Sequence, residues 1–263
     1  MYVDPWTAWV VGGLLASARI LPLFLFVPPF SLPAFPVQVR ALLALGLAFL
    51  VAAPESLPPE VTARILEGGL SAFVLSFLRE LAFGLFLATS LLFLFSLLQT
   101  AGNLLDFEMG LAIANVFDPQ SGASVSVLGH AVALYTAALF FASGAHRTVI
   151  RGLFLTFDAL PPGADLALAA GTRHLVSLAG EAVVGAVLLT FPFLVLLFFI
   201  DLTAALLARA VPQLNLFVHG LPLKLLAGNF LLVPFAGVLA FAFFRIADRF
   251  VEEMLVLARL AGG

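Results

Sequence analysis

Seven ionisable residues sit inside or at the margins of long apolar stretches: Arg19, Arg79, Glu80, His146, Arg147, Glu181 and Asp201. In the middle of a lipid-embedded helix each charge costs about 2.5–3.5 kcal/mol on insertion scales, so each has to face protein or water. Two chemistries suit such groups. Glu80, Glu181, Asp201 and His146 could pass protons or ions along a transport relay. Alternatively, Arg19, Arg79, Glu80, His146, Glu181 and Asp201 serve as polar anchors, paired between packed helices or between subunits, and this is the favoured reading. Arg79 and Glu80 are adjacent, so on a helix their side chains diverge by about 100° and cannot pair with each other. They are expected to look toward different neighbours, which hints at other subunits.

Other chemistry finds little support. His130, His146, His174 and His219 are scattered, with neither HxxxH nor HxxE spacing, so no metal site is expected. Asp106 and Glu108 stand two apart, and no nucleophile has a neighbouring base, which disfavours an enzyme. With no cysteine, disulfides, iron–sulfur clusters and thiol catalysis are excluded. No cofactor is expected. The net charge of −3 carries no basic patch for nucleic acid.

The elements that hold these groups follow from composition. Of 263 residues, 63% are hydrophobic and 10% charged, which is the composition of an integral membrane protein. A hydrocarbon core of ~30 Å needs about 20 helical residues. Apolar runs of that order occur near 6–27, 37–53, 70–98, 128–157, 175–207 and 221–244. None alternates apolar and polar residues as a barrel strand does. The expectation is an all-α membrane protein of about six long apolar helices, forming one membrane domain with membrane lipid around it. The first run has no basic residue before it and Arg19 within it, so it is read as a retained helix rather than a cleaved signal. Runs three to five exceed the length of a span, implying tilt, kinks or projection beyond the bilayer, and Pro192 marks a kink. The excess of arginine on the side of both termini places them in the cytoplasm.

Two phrases then carry a resemblance. The stretch 99–119, QTAGNLLDFEMGLAIANVFDP, and the stretch 212–224, PQLNLFVHGLPLK, resemble the central and C-terminal signatures of the R-type export-gate subunits of flagellar and virulence type III secretion. Arg19, the turn from Pro28 to Arg40, Glu80 with Gly84, and Gly144 to His146 before Leu160 and Pro161 extend the likeness over nearly the whole chain. The resemblance implies one copy in a helical spiral with P-type and Q-type export-gate membrane subunits, beside the export-switch membrane protein. Such a spiral forms the entrance channel for unfolded protein substrates across the bacterial inner membrane, at the flagellar basal body in the flagellar case. It further implies a P-like half at about 1–127, a Q-like half at about 128–263, and a plug-bearing loop at 99–127. Helices packed on other subunits would account for overlong runs and charges out of place. The phrases 106–110 and 213–217 look flagellar.

The chemistry of Gly110 to Pro119 suits a plug. A pore wide enough for polypeptide must not leak ions at rest, and apolar side chains closing on one another exclude water. Leu111, Ile113, Val116 and Phe117 supply the seal. Gly110, with Gly122 and Ala123 beyond, supplies conformational freedom, and Asp118 and Pro119 fix the turn into the next helix. Relatives carry more aromatic residues here, whereas this chain has Ile113 where an aromatic is expected. In the second phrase, Pro212, Gly220 and Pro222 describe a hairpin tip, Gln213 and Asn215 can satisfy free backbone groups, and the segment to Lys224 is a candidate partner contact.

Overall fold

A computed structural model describes residues 4–32, 35–52, 59–111, 126–210 and 216–262. It contains seven helices among those residues: α1 (Pro5–Phe26), α2 (Val37–Val51), α3 (Pro59–Met109), α4 (Val127–Ala142), α5 (Ala145–Ala159), α6 (Leu168–Ala210) and α7 (Leu216–Gly262). No strand occurs among the described residues. The chain is an all-α membrane protein.

The expected count of about six spans is reduced. Four helical stretches are long and apolar enough to cross a membrane: Trp6–Phe26, Glu67–Met109, Ala169–Ala210 and Gly220–Gly262. The fourth apolar run is broken. Gly144 adopts φ 77°, a left-handed conformation that side-chain-bearing residues avoid, and α4 and α5 meet there at 73°. Counted as one bent span, the pair makes a fifth. The second run yields α2 of only 15 residues, about 22 Å at 1.5 Å per residue and short of the bilayer core.

The remaining helices are overlong, as their apolar lengths predict. α3, α6 and α7 have 51, 43 and 47 residues. At 1.5 Å per residue even the shortest of these covers about 64 Å, twice the hydrocarbon core. α3 is interrupted at Gly69, where φ is 63° and ψ is −150°. α6 passes through Pro192 and α7 through Pro222 and Pro234. In the turn before Pro192, the Thr190 hydroxyl donates to the carbonyls of Ala186 and Val187 at 2.7 and 3.2 Å.

The chain forms two compact units, residues 1–94, 140–179 and 247–263, and residues 95–139 and 180–246. The core of the first is built from Leu15, Ile20, Leu23, Phe83, Leu87, Phe140, Phe250 and Met254, all buried. The Trp9 indole donates to the Phe49 carbonyl at 3.2 Å, binding α1 to α2, and the Phe49 ring occupies the space that a side chain on Gly13 would need. Gly152 likewise admits Val251 and Met254 against α5. In the second unit, Gly102 lies against Val132 and the Leu128 carbonyl, Gly185 against Leu97, and the rings of Phe193 and Phe235 meet edge to face at 5.1 Å. These are small-residue and aromatic contacts of the kind that pack helices in lipid.

Candidate functional site

Arg19, in the middle of α1, is completely buried. Its Nε donates to Glu80 Oε2 at 2.7 Å, and its Nη1 donates to the carbonyls of Thr156 and Leu160 at 3.1 and 2.9 Å. Those carbonyls belong to the C-terminal end of α5, whose dipole favours a cation; the Thr156 carbonyl also accepts the Leu160 N–H at 2.9 Å. The guanidinium lies over the rings of Phe157 at 4.2 Å and Phe83 at 4.9 Å. Glu80 uses its second oxygen, Oε1, to accept the backbone N–H of Gly163 at 2.7 Å. One buried ion pair therefore holds α1, α3, the end of α5 and the turn at 160–163. Arg19 Nη2 has no partner among the described residues.

Arg79 and Glu80 do diverge, but both neighbours belong to this chain: Glu80 meets Arg19, and Arg79 Nη1 lies 2.6 Å from Asp165 Oδ1. In the same unit His174 Nε2 and Glu253 Oε2 are 2.7 Å apart, and Arg249 Nη2 donates to Glu253 Oε1 at 2.8 Å, so Glu253 links α6 to α7. His146 packs against the rings of Phe140 and Phe141, with its Nδ1 buried and without a partner among the described residues.

A second constellation surrounds the C-terminal end of α3. Asp106 Oδ1 accepts the backbone N–H of Leu128 at 2.8 Å, capping the first turn of α4. Ser126 Oγ accepts the N–H of Gly129 at 2.8 Å in that turn, and Asn103 occupies the space a side chain on Gly129 would take. Lys224 Nζ, on α7, donates to Glu108 Oε1 at 3.1 Å and to Asp201 Oδ2, on α6, at 2.6 Å. One turn further along α7, Gly228 receives the Met109 side chain; a Cβ there would stand 2.4 Å from Met109 Cε. Gly110 then ends α3 with φ 78°, its N–H donating to the Phe107 carbonyl at 3.1 Å. The start and the far side of the 110–126 stretch are thus tied to α4, α6 and α7.

Of the expected plug residues, Gly110 and Leu111 are described, the latter half-buried just past α3. Ile113, Val116, Phe117, Asp118 and Pro119 lie outside the described residues, as do Pro212, Gln213 and Asn215. Residues 99–109 of the stretch read as a loop are helical, because α3 continues to Met109. Gly220 and Pro222, expected at a hairpin tip, lie within the first two turns of α7, where Pro222, the seventh residue of the helix, withholds one intrahelical N–H. Glu181 lies on an exposed face of α6. Missed from sequence were the roles of Asp106 and Glu108. Two positions apart on a helix is about 200°, a signal that they serve opposite faces, here α4 and α7. Among the described residues no three potential metal ligands cluster.

Several overlong apolar helices, with charges tied to one another and to backbone groups, define a polytopic helical membrane protein. Residues 10–250 match the family of bacterial export proteins, family 1, and the chain belongs to that family. It is 31% identical over 258 residues to the flagellar biosynthetic protein FliR of Bacillus subtilis (strain 168), covering 95% of each chain. The Escherichia coli (strain K12) flagellar biosynthetic protein FliR is 28% identical over 238 residues, 90% of this chain and 88% of that one. Surface presentation of antigens protein SpaR of Shigella sonnei is 24% identical over 250 residues, 90% and 91% of the two chains.

Proposed function

We propose that this chain is a channel-forming subunit of a type III protein export gate in the bacterial inner membrane, and that the gate is a flagellar one. The observation that carries the proposal is the family match over residues 10–250. The flagellar assignment rests on the relative at 31% identity, since the antigen-presentation relative stands at 24%. The structure supplies physical support. In the most apolar windows of α6 and α7 only 22% of the residues are buried, against 61% in α1. Exposed apolar side chains run along α6 from Val176 to Leu207, about 47 Å at 1.5 Å per residue and more than the hydrocarbon core, so other apolar chains cover part of this face. P-type and Q-type membrane subunits, with the export-switch protein alongside, are the partners in this reading. The chain does no covalent chemistry: it supplies pore wall, and Gly110 to Pro119 supplies the plug.

A proton-coupled transporter fits less well. Glu80 has both oxygens engaged by fixed donors, and Asp201 is paired with Lys224, so neither stands ready to exchange protons with a substrate path. The test is to isolate the tagged protein from its native membranes under mild detergent and weigh what accompanies it. A complex several times 27.8 kDa with multiple copies of two other small membrane proteins is expected. A stable monomer or homodimer would overturn the assignment.

A further inference from the structure

We infer that Lys224 is a positioning residue that sets where the C-terminal turn of α3 rests, and through it how tightly the channel holds back ions; this rests on the channel reading above. The inference starts from three helices meeting at one ammonium. Lys224 Nζ is 3.1 Å from Glu108 Oε1 and 2.6 Å from Asp201 Oδ2. Its side chain is 15% exposed and those of Glu108 and Asp201 28% and 48%, so the lysine is the most buried of the three side chains. An ammonium has three donors and no fixed plane, which lets one lysine serve two carboxylates on different helices. One cation balances two anions. Removing it leaves two carboxylates facing each other, an arrangement that favours separation of α3 from α6.

A second contact makes the triad a determinant of position. Met109 follows Glu108 directly and packs onto Gly228, four residues beyond Lys224 on α7. Positions 224 and 228 share one face of α7, so an ionic and an apolar contact grip consecutive residues of α3. Gly110 ends the helix at the next residue. A shift of that turn therefore moves the point where the chain leaves the helix. Neither contact involves a reacting group, so the role is placement.

The chain has no cysteine, so introduced ones are its only thiols. Phe107 and Leu226, exposed on α3 and α7, become cysteines carrying spin labels in the assembled complex, and the distance between them is measured by pulsed electron resonance. The same complex, placed in potassium-loaded vesicles of phosphatidylethanolamine and phosphatidylglycerol, reports ion leak. Lys224→Met is expected to broaden or shift the distance distribution and to raise leak roughly twofold to fivefold, the order of population change that loss of such partly exposed ion pairs produces. Lys224→Arg should keep both near the parent. If Lys224→Met assembles with an unchanged distribution, the triad only adds stability and the inference is overturned. Where Lys224→Met does not accumulate, Glu108→Gln replaces it, and an unchanged distribution there is equally fatal. A complex lacking residues 110–119 separates the two layers of the argument. If it leaks while a displaced Lys224→Met complex stays tight, the inference that Lys224 controls the leak is overturned and the plug stands; if neither leaks, the inference and the plug assignment both fall.

Discussion

Glu80 shows how a charge inside an apolar helix is matched in this protein. Its carboxylate accepts from Arg19 and from the Gly163 N–H, so its ionised form is matched on both oxygens. Breaking a buried pair by neutralising one member strands the other, at a cost of about 3–5 kcal/mol. Glu80→Gln is therefore expected to lower the melting temperature and recovery of the purified complex sharply. Normal stability with loss of function alone would instead revive a relay. Replacing both residues, as Arg19→Met with Glu80→Met, removes the stranded charge yet leaves the Thr156 and Leu160 carbonyls and the Gly163 N–H without these partners. The double variant should recover only part of the loss. That Arg19 and Glu80 each need a polar partner or water was legible in the sequence, because a charge in an apolar run of about 20 residues has few other fates. Their pairing was not, since 61 positions separate them and only tertiary packing brings them together. Lys224 was harder still: in a proline- and glycine-bearing phrase it reads as a surface group, and nothing local reveals two carboxylates on other helices.

At the scale of elements, apolar length located the helices, whereas glycine decided how they break and approach. A glycine in an apolar run reads equally as packing surface or as hinge. Gly69 and Gly144 turn out to be breaks with positive φ, while Gly84 is a contact. The continuation of α3 to Met109 was hidden because polar residues at 99–108 resemble a connector, although Asp106 and Glu108 are there to meet other helices. The contacts differ enough to rank. A Cβ on Gly84 would lie 2.4 Å from the Arg19 carbonyl oxygen, backbone that cannot swing aside, whereas Gly46 and Gly237 have nothing within 4 Å. Gly84→Ala should thus force α1 and α3 apart and destabilise by roughly 1–3 kcal/mol. Gly46→Ala and Gly237→Ala should be neutral or gain a few tenths, because alanine is the better helix former by about 1 kcal/mol at most. Thermal unfolding of the three variants, read side by side in one detergent, checks the order. Equal melting temperatures would mean that α1 and α3 do not meet as described.

For the whole molecule, in the proposed channel, the question is whether a wide passage can remain tight without spending energy. A pore that admits an unfolded chain is broad enough for water and ions, and closure by apolar side chains requires only that they meet and exclude water. The chain places four such side chains, Leu111, Ile113, Val116 and Phe117, between Gly110 and Pro119, after a helix end whose last turn is bound to α4 and α7. Those contacts fix the end of α3 without any contribution from residues 112–119. Removing residues 110–119 is therefore expected to leave assembly with the partner subunits intact while membranes become permeable to small ions. The measurement is dissipation of an ion gradient in vesicles containing the purified complex, with complex mass as the control. Intact assembly with full tightness would show that the seal lies elsewhere in the pore wall. Replacing Val116 and Phe117 together by serine, at unchanged length, should give an intermediate leak, because dewetting depends on apolar surface and not on the presence of a chain alone.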